Sequence, residues 1–549
     1  MARVKQQSLG KGFTILSISN ISVKVLSLIF IPIIRQLMGS STNYGINSVT
    51  AEVFALAYVI TTAGIPVAIA KLVSELLSNK DERGAERAFK LARTVMFGIG
   101  LVVAVLMAVL AKPIANAMGS PKSWAGILFI APTILVCSIL SSYKGYFQGH
   151  KNMNPTAICQ VIDQISNMVV SIIMVAILIK VDIVWAVAGY SIGTVAGASV
   201  SLAYMVWKRN KSLAGEKYLR DDNVESGTVE DVMLPATEVR KKKLDTMALL
   251  KKIFYYSIPI VINTAIQSAG DLIDTSMILK RLQVAGLSLD TALGWKGDLY
   301  STRQLLNVPT SIISAMCVSI LPAMAALHVQ KKIQEKSDKA NEGHRLCYII
   351  AVPMMAAFGV FSQPIFKLLG YGPNNILLSA LCFSIILQGT VHLQSSILQS
   401  VNKLFTSTLF LLAGGVTKIV LSYILIAIPG IEIYGSVIST YASFLVPFLL
   451  NLWVLNKKEK LKISVIGNIW RPCLASVFMV MIGFPIYWLL HKISEGYFMT
   501  LVAFVITAVV CVAVYFVAMI MIGGLTKEIV TDIAPKLGKF WPNKIKRIL

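Results

Sequence analysis

The chain reads FTILSISNISVKVLSLIFIPIIRQL at residues 13–37, and this apolar run decides the fold. An α-helix needs about 20 apolar residues to cross the hydrocarbon core of a bilayer, and the run exceeds that length. It is too long for the hydrophobic part of a cleavable signal peptide and contains no small-residue cleavage site. The run therefore predicts a membrane-spanning helix.

Composition extends this interpretation to the whole chain. Of its 549 residues, 56% are hydrophobic and 14% are charged, whereas an ordinary soluble domain has about 25% charged residues. Backbone groups in lipid must be hydrogen-bonded within their own segment, so runs of this length predict helices. We predict an all-α integral membrane protein with fourteen transmembrane helices at 13–37, 45–70, 91–111, 123–143, 157–179, 183–207, 253–279, 299–327, 346–369, 376–399, 405–428, 431–455, 467–490 and 498–523.

The positive charges give an orientation. The net charge of +24 does not indicate a nucleic-acid partner, because the Lys and Arg residues lie between apolar runs. The N-terminal segment, the even-numbered loops and the C-terminal tail hold 38 of them, against 8 in the opposite loops. Basic loops stay in the cytoplasm, so we expect a multi-pass protein of a bacterial plasma membrane with both termini cytoplasmic. The seven Cys show no CxxC pairing and predict neither a disulfide framework nor a metal site.

Recurring landmarks indicate an internal duplication. Gly119 returns as Gly370 at an offset of 251 residues, and Gly189 returns as Gly435 at an offset of 246. Six helices are an even number, so both copies enter the membrane from the same side and form parallel repeats. We predict two six-helix lobes around a central cavity, plus two C-terminal helices. The predicted domains are an N-terminal lobe (1–210), a cytoplasmic linker (211–250), a C-terminal lobe (251–460), helices 13 and 14 (461–524) and a basic amphipathic tail (525–549).

Polar residues inside the spans are the candidate functional residues, because charge within a bilayer is costly and usually serves a function. Span 1 carries Asn20, Lys24 and Arg35 on one helical face. Spans 7 and 8 carry similar stripes that contain Asn263, Gln267, Asp271, Asp274, Arg303 and Asn307. We interpret the stripes as the walls of one water-filled cavity in which Lys24 and Arg303, with Arg35, bind an anionic group. In the alternative, Lys24 and Arg303 are structural partners of Glu52, Asp271 or Asp274.

A second hypothesis concerns gating. The 251-residue offset makes Glu52 in span 2 the counterpart of Arg303, so these two residues are candidates for a pair that closes the outer side. Lys418 in span 11 and Asp163 in span 5 are further candidates. The chain has no Walker motif, HExxH, nucleophile elbow or Gly-rich dinucleotide turn. The sequence therefore predicts a transporter, not an enzyme, without a cofactor or metal.

Four segments resemble the MurJ and stage V sporulation protein B branch of the multidrug/oligosaccharidyl-lipid/polysaccharide (MOP) exporter superfamily. They read YGINSVTAEVFALAYVITTAGIPVAIAKLVSEL (44–76), YFQGHKNMNPTA (146–157), DLIDT (271–275) and LLNVPTSIISAMCVSILPAM (305–324). The resemblance implies a flippase that moves lipid II, the undecaprenyl-pyrophosphate-linked precursor of peptidoglycan, to the outer leaflet. It also implies that Lys24 and Arg303 hold the pyrophosphate.

The chain departs from that pattern at three positions. Better-known members have Arg where Lys24 stands, and they have a further Arg in the second helix, where this chain has Glu52 nearby. Some members bind sodium through acids of the seventh and eleventh helices, whereas span 11 here has Lys418 and no acid. The membrane potential or an ion is then the expected source of coupling, and a monomer is expected.

Three alternatives stay open at this point. The cargo could be another polyprenyl-linked polysaccharide. The protein could be a cation-coupled multidrug exporter, although such exporters have an acid on span 1, where Lys24 stands. It could also be a scaffold for cell-wall or spore assembly that transports nothing.

Overall fold

The structure is a computed structural model that describes residues 9–62, 64–79, 81–225, 246–493 and 496–525. Within these ranges the chain forms eighteen α-helices and no strand. The predicted all-α class is confirmed. Half of the predicted linker, residues 226–245, and nearly all of the basic tail lie outside the described residues.

Nine helices precede residue 285. They are α1 Leu9–Met38, α2 Ser41–Thr62, α3 Ile65–Ser78, α4 Glu82–Val109, α5 Ala111–Ala117, α6 Trp124–Gly149, α7 Asn154–Leu178, α8 Ile183–Glu225 and α9 Thr246–Val284. Nine more follow. They are α10 Leu289–Val329, α11 Ile333–Val360, α12 Ser362–Leu369, α13 Ile376–Leu381, α14 Ser384–Ser400, α15 Leu404–Leu425, α16 Tyr434–Trp453, α17 Val465–Ile493 and α18 Tyr497–Met521.

Each of the fourteen predicted spans coincides with one helix or with two consecutive helices. In the described ranges, twelve segments are long and apolar enough to cross a membrane. Helices α9 and α10, of 39 and 41 residues, contain the predicted spans 7 and 8 and their polar stripes.

Some predicted boundaries were wrong. Span 2 is two helices, because α2 ends at Thr62 and α3 begins at Ile65 with Pro66 in its first turn. Proline lacks an N–H and is accepted in a first turn, where no intrahelical bond is lost. Helix α10 begins at Leu289, ten residues before the predicted span 8, so Lys296 is helical and not a loop residue. Lys144, also assigned to a loop, lies inside α6.

The chain divides by its contacts into two compact units, Met1–Gly297 and Asp298–Leu549. Unit 1 contains α9, which packs on α2, α3 and α4. It also contains the first turns of α10, and the remainder of that helix belongs to unit 2. The contact boundary thus differs from the predicted lobe limits near residues 210 and 251. The lobe limits stay a prediction from the sequence repeat.

Backbone geometry supports the duplication independently of sequence identity. Gly119 and Gly370, 251 residues apart, both have left-handed φ angles, of 76° and 64°. Lys151 and Asn402, also 251 residues apart, have φ angles of 58° and 60°. A left-handed φ is uncommon for a residue other than glycine. Its recurrence at one offset indicates that both copies make the same turn between their fourth and fifth spans.

Each unit also carries an ion pair that joins its third and sixth predicted spans, which we call the latch. In unit 1, Arg209 of α8 lies 2.5 Å from Glu86 of α4. In unit 2, Lys336 of α11 lies 3.1 Å from Glu459, just beyond α16. By the offsets of the repeat, Lys336 lies one residue before the counterpart of Glu86, and Glu459 lies four residues after the counterpart of Arg209. The latch therefore ties the third and sixth spans of each copy, with the basic and acidic members on opposite spans in the two copies.

Removing one half of a latch is expected to destabilise its unit. Arg209 is buried and its guanidinium also lies 4.4 Å from the centre of the Phe89 ring, so it cannot easily turn to water when its carboxylate is lost. Glu86→Gln should lower the free energy of unfolding by roughly 1.5–3 kcal/mol. Thermal unfolding in detergent measures this. Glu82→Gln, an exposed position one turn earlier on α4, is the control, and equal melting temperatures for the two variants would contradict the latch.

Candidate substrate site

The polar stripe of α1 lies off the face that packs on α7. Ser19 donates from Oγ to the backbone oxygen of Ala157 at 2.7 Å, which fixes the α7 side of the helix. Lys24 lies five residues further, about 140° around the helix, near the middle of α1. Its side chain is half-buried, and Asn20 one turn before it is exposed. The ammonium of Lys24 is therefore displayed at mid-helix, away from the α7 contact.

Lys24 makes no ion pair with any carboxylate among the residues that the structure describes. Glu52, Asp271 and Asp274, the structural partners considered for it, all belong to the same unit. The structural alternative therefore finds no support at Lys24.

Arg35, near the end of α1, is only 3% exposed. Its Nη2 donates to Oγ of Ser41 at 2.5 Å, and its guanidinium lies 5.9 Å from the centre of the Tyr44 ring. Ser41 begins α2, so Arg35 ties the end of the first span to the start of the second. Its predicted part in binding pyrophosphate stays a prediction.

Glu52 has an ionic partner in unit 1 that was not predicted from the sequence. The Nζ of Lys296 lies 3.6 Å from Glu52 Oε1 and donates to Thr275 Oγ1 at 2.7 Å. The Lys296 side chain is fully buried and that of Glu52 is 12% exposed. Asp274, next to Thr275 on α9, is also buried, whereas Asp271 is exposed. This network joins α2, α9 and the first turns of α10.

A signal for Lys296 was available. It lies seven residues before Arg303, which is two helical turns, and so continues the stripe of span 8. The predicted span 8 starts at residue 299, after Lys296, because charged residues lower the mean hydropathy at the start of this helix. The predicted pairing of Glu52 with Arg303 stays a prediction.

Substitutions at Lys296 and Glu52 should have coupled effects on the free energy of unfolding. Lys296→Met leaves the buried carboxylate without this ammonium and should cost about 3 kcal/mol or more. Adding Glu52→Gln to Lys296→Met should recover part of that loss, since the carboxylate that faced the ammonium is then neutral. Melting temperatures of the two singles and the double give the coupling. Lys280→Met, at an exposed lysine of α9, is the control, and additive effects at residues 52 and 296 would contradict the pairing.

Helix α2 and the first turns of α10 touch backbone to backbone at two glycines. A Cβ on Gly45 would overlap the backbone carbonyl of Leu293, and one on Gly297 would overlap the carbonyl of Ser41. Thr42 adds a hydrogen bond from its Oγ1 to the backbone oxygen of Asp290 at 3.1 Å. Small residues allow such close approach between membrane helices. We call this contact the α2–α10 crossing, and the Glu52–Lys296 pair lies beside it.

Arg303, Asn307 and Lys418 belong to unit 2. The Nη2 of Arg303 lies 3.5 Å from Ser436 Oγ, at the limit of a hydrogen bond, so its side chain reaches from α10 to α16. Asn307 and Lys418 are half-buried, in α10 and α15. Asn263 and Gln267 lie in α9, but their side chains are outside the described set. A single cavity shared by Lys24 and Arg303 stays a prediction.

A second group of charges lies in unit 1. Lys144 of α6 interacts electrostatically with Asp163 of α7 and with Tyr58 of α2. The backbone oxygen of Asp163 is also in close contact with Gly197 of α8. Asp163 thus lies at a packed helix interface with a basic neighbour. Among the described residues, no group of three His, Cys, Asp or Glu side chains could hold a metal ion.

A family model described as "Polysaccharide biosynthesis protein" matches residues 9–328. The chain belongs to this family. The match runs from α1 to the end of α10 and includes Lys24, Glu52, Lys296 and Arg303.

Curated relatives agree with this family membership. "Stage V sporulation protein B" of Bacillus subtilis is 24% identical over 471 residues, which are 84% of this chain and 86% of that protein. "Lipid II flippase MurJ" of Bacillus subtilis is 23% identical, over 94% of this chain and 96% of that protein.

Solved structures share the fold of this polysaccharide biosynthesis family member. "Lipid II flippase MurJ, inward closed conformation" aligns with a TM-score of 0.65 at 13% identity, over 92% of this chain and 97% of that chain. An inward-facing multidrug resistance MATE family transporter of the MOP superfamily aligns with a TM-score of 0.62 at 13% identity, over 81% of this chain and 99% of that chain. The chain is therefore a multi-pass membrane protein with the fold that these transporters share.

Proposed function

We propose that this protein is a flippase that moves a polyprenyl-pyrophosphate-linked saccharide, specifically lipid II, from the inner to the outer leaflet by alternating access. The observation that carries the proposal is Lys24. It is half-buried at the middle of a membrane helix and has no ion pair with a described carboxylate. A charge in that position is costly and persists where it has a use. Binding of an anionic headgroup that must cross the membrane would be such a use.

The side chain of Arg303, the second proposed cation, is suited to binding the same anionic headgroup. Arg303 presents a planar guanidinium that can bind two phosphate oxygens at once. Its Nη2 lies 3.5 Å from Ser436 Oγ, and charge-assisted bonds from a guanidinium to a phosphate are shorter than that. Lys24 would act as a point charge for the same pyrophosphate. The names of the relatives, lipid II flippase and stage V sporulation protein B, support a lipid-linked saccharide as cargo.

The alternating-access cycle needs a closing contact, and the α2–α10 crossing is the candidate on the outer side. Opening that side would separate Gly45 from Leu293 and expose Lys296 and Glu52 to water. An empty cavity with net positive charge would then be drawn inward by a negative-inside potential, at about 2.3 kcal/mol per charge per 100 mV. This orientation assumes cytoplasmic termini in the plasma membrane, as the charge asymmetry predicts.

A cation-coupled drug exporter is the second candidate function, because a multidrug resistance MATE family transporter has the same fold as this chain. Such an exporter binds cationic compounds and needs an acid at the place of Lys24. The sign of the charge on α1 thus favours an anionic substrate.

The test is complementation of a bacterial strain depleted of its lipid II flippase. Expression of this protein should restore growth, and purified protein in vesicles should make fluorescent lipid II accessible from the outer leaflet. The lipid-linked precursor of another surface polysaccharide serves as the competing cargo in the same vesicles. Movement of that precursor without movement of lipid II would reject the specific substrate, and movement of neither would reject the flippase.

A further inference from the structure

A narrow cavity lies within unit 1, away from α1. It has a volume of about 190 Å³, and α2, α3, α4 and α9 line it. On α9 the lining positions recur from Leu250 to Val261, and on α4 from Ala92 to Ile99, at spacings of three and four residues. The cavity is thus a slot between two helix faces. Drug-sized ligands need about 300–1,000 Å³, so the slot suits one hydrocarbon chain better than a ring system.

The lining of the slot is apolar. Its single hydroxyl, on Ser257, donates to the backbone oxygen of Ile253 at 2.8 Å and is already bound within α9. The deep wall is fixed, because Ala92, Met96 and Ile253 belong to a buried hydrophobic core. The outer wall is open, with Ile60 44% and Ile258 48% exposed. The slot therefore opens sideways, where a lipid chain can enter it.

Two basic residues lie next to lining residues of the slot. Lys251 is exposed and directly follows the lining residue Leu250. The Nζ of Lys71 lies 3.9 Å from the centre of the ring of Tyr256, which directly precedes the lining residue Ser257. Lys252 is already neutralised by Glu75 at 2.6 Å, so Lys71 and Lys251 are the charges left for a ligand. A hydrocarbon slot with cations next to its lining residues matches a lipid with a negatively charged headgroup.

We propose that the slot binds one acyl chain of an anionic phospholipid, whose phosphate contacts Lys71 and Lys251. The occupant is a lipid of the surrounding leaflet and not the transported substrate, because no residue of α1 lines the slot. By the charge asymmetry of the sequence this is the cytoplasmic leaflet, which is rich in anionic lipids. The proposal stands independently of the proposed function, since it needs no transport. A bound chain would fill the space between α4 and α9.

The test uses the full-length protein in nanodiscs with phosphatidylglycerol that carries a diazirine on one acyl chain. Photolysis should label peptides of α4 and α9. Ile258→Trp, which fills the slot from an already exposed position, should reduce that labelling about tenfold or more. Val105→Trp, at a position of α4 that is 51% exposed and outside the slot, should leave it unchanged. Equal labelling of the two variants, or labelling only of peptides outside α4 and α9, would overturn the proposal that the slot binds an acyl chain.

The headgroup is tested by competition. The Lys71→Ala/Lys251→Ala double variant should lose roughly 30-fold in affinity for phosphatidylglycerol, as each basic residue near an anionic surface contributes about fivefold. Lys211→Ala removes a matched lysine that lies over the Trp207 ring at 5.2 Å and should have no effect. Unlabelled phosphatidylglycerol should compete better than phosphatidylcholine. Stronger competition by undecaprenyl phosphate would assign the slot to the substrate chain and reject a phospholipid.

Discussion

Replacing Lys24 by alanine is expected to lower the rate of transport of a lipid-linked pyrophosphate by at least an order of magnitude while the protein folds normally. Lys24 has no ion pair with a described carboxylate, so its removal leaves no buried carboxylate uncompensated. Loss of a desolvated charge contact to the substrate should cost about 2 kcal/mol or more, which is roughly a 30-fold fall in rate or greater. Translocation of fluorescent lipid II in proteoliposomes measures the effect, and melting temperature in detergent verifies folding.

Two variants make the Lys24 experiment specific. Lys24→Arg keeps the charge and should retain most of the transport. Lys112→Ala removes a lysine that is exposed and lies 5.0 Å from the centre of the Trp124 ring, so it controls for a general loss of positive charge. Full transport by Lys24→Ala would remove the observation on which the proposed function depends. An equal loss in Lys112→Ala would attribute the effect to net charge.

The helices could be predicted from the sequence because lipid leaves the backbone few choices. Each long apolar run must satisfy its own hydrogen bonds, so the run at 13–37 had to be a helix, and α1 confirms it. The breaks were harder to predict. A hydropathy window averages over the boundary between α2 and α3 and does not register it. The same averaging cut α10 short and placed Lys296 in a loop.

The pairings between distant residues were not predicted, for a different reason. The Glu86–Arg209 and Lys336–Glu459 latches join residues 123 positions apart, and a single sequence does not show which charges meet. The repeat does not predict them either, because its offsets take Glu86 to Ser337 and Arg209 to Leu455, and neither of these residues is charged.

The contact of Gly45 with Leu293 had no sequence signal of its own, yet it predicts a large effect. Gly45→Ala would place a Cβ against a backbone carbonyl, and backbone cannot move aside as a flexible side chain does. Overpacking of this kind costs about 1–3 kcal/mol or more. The α2–α10 crossing would be pushed apart, so transport should fall together with the melting temperature of unit 1. Proteoliposome transport and thermal unfolding measure the two effects.

The control variant, Gly98→Ala, is expected to change the stability of the protein in the opposite direction from Gly45→Ala. Gly98, inside α4, has nothing within 4 Å of the position of a Cβ. Gly98→Ala should therefore stabilise the protein by roughly 0.5–1 kcal/mol, because alanine loses less backbone entropy than glycine in a helix. Gly297→Ala acts at the same crossing as Gly45→Ala, so the double variant should cost less than the sum of the two singles. If Gly45→Ala stabilises the protein as Gly98→Ala does, the helices do not meet at this crossing in the folded protein.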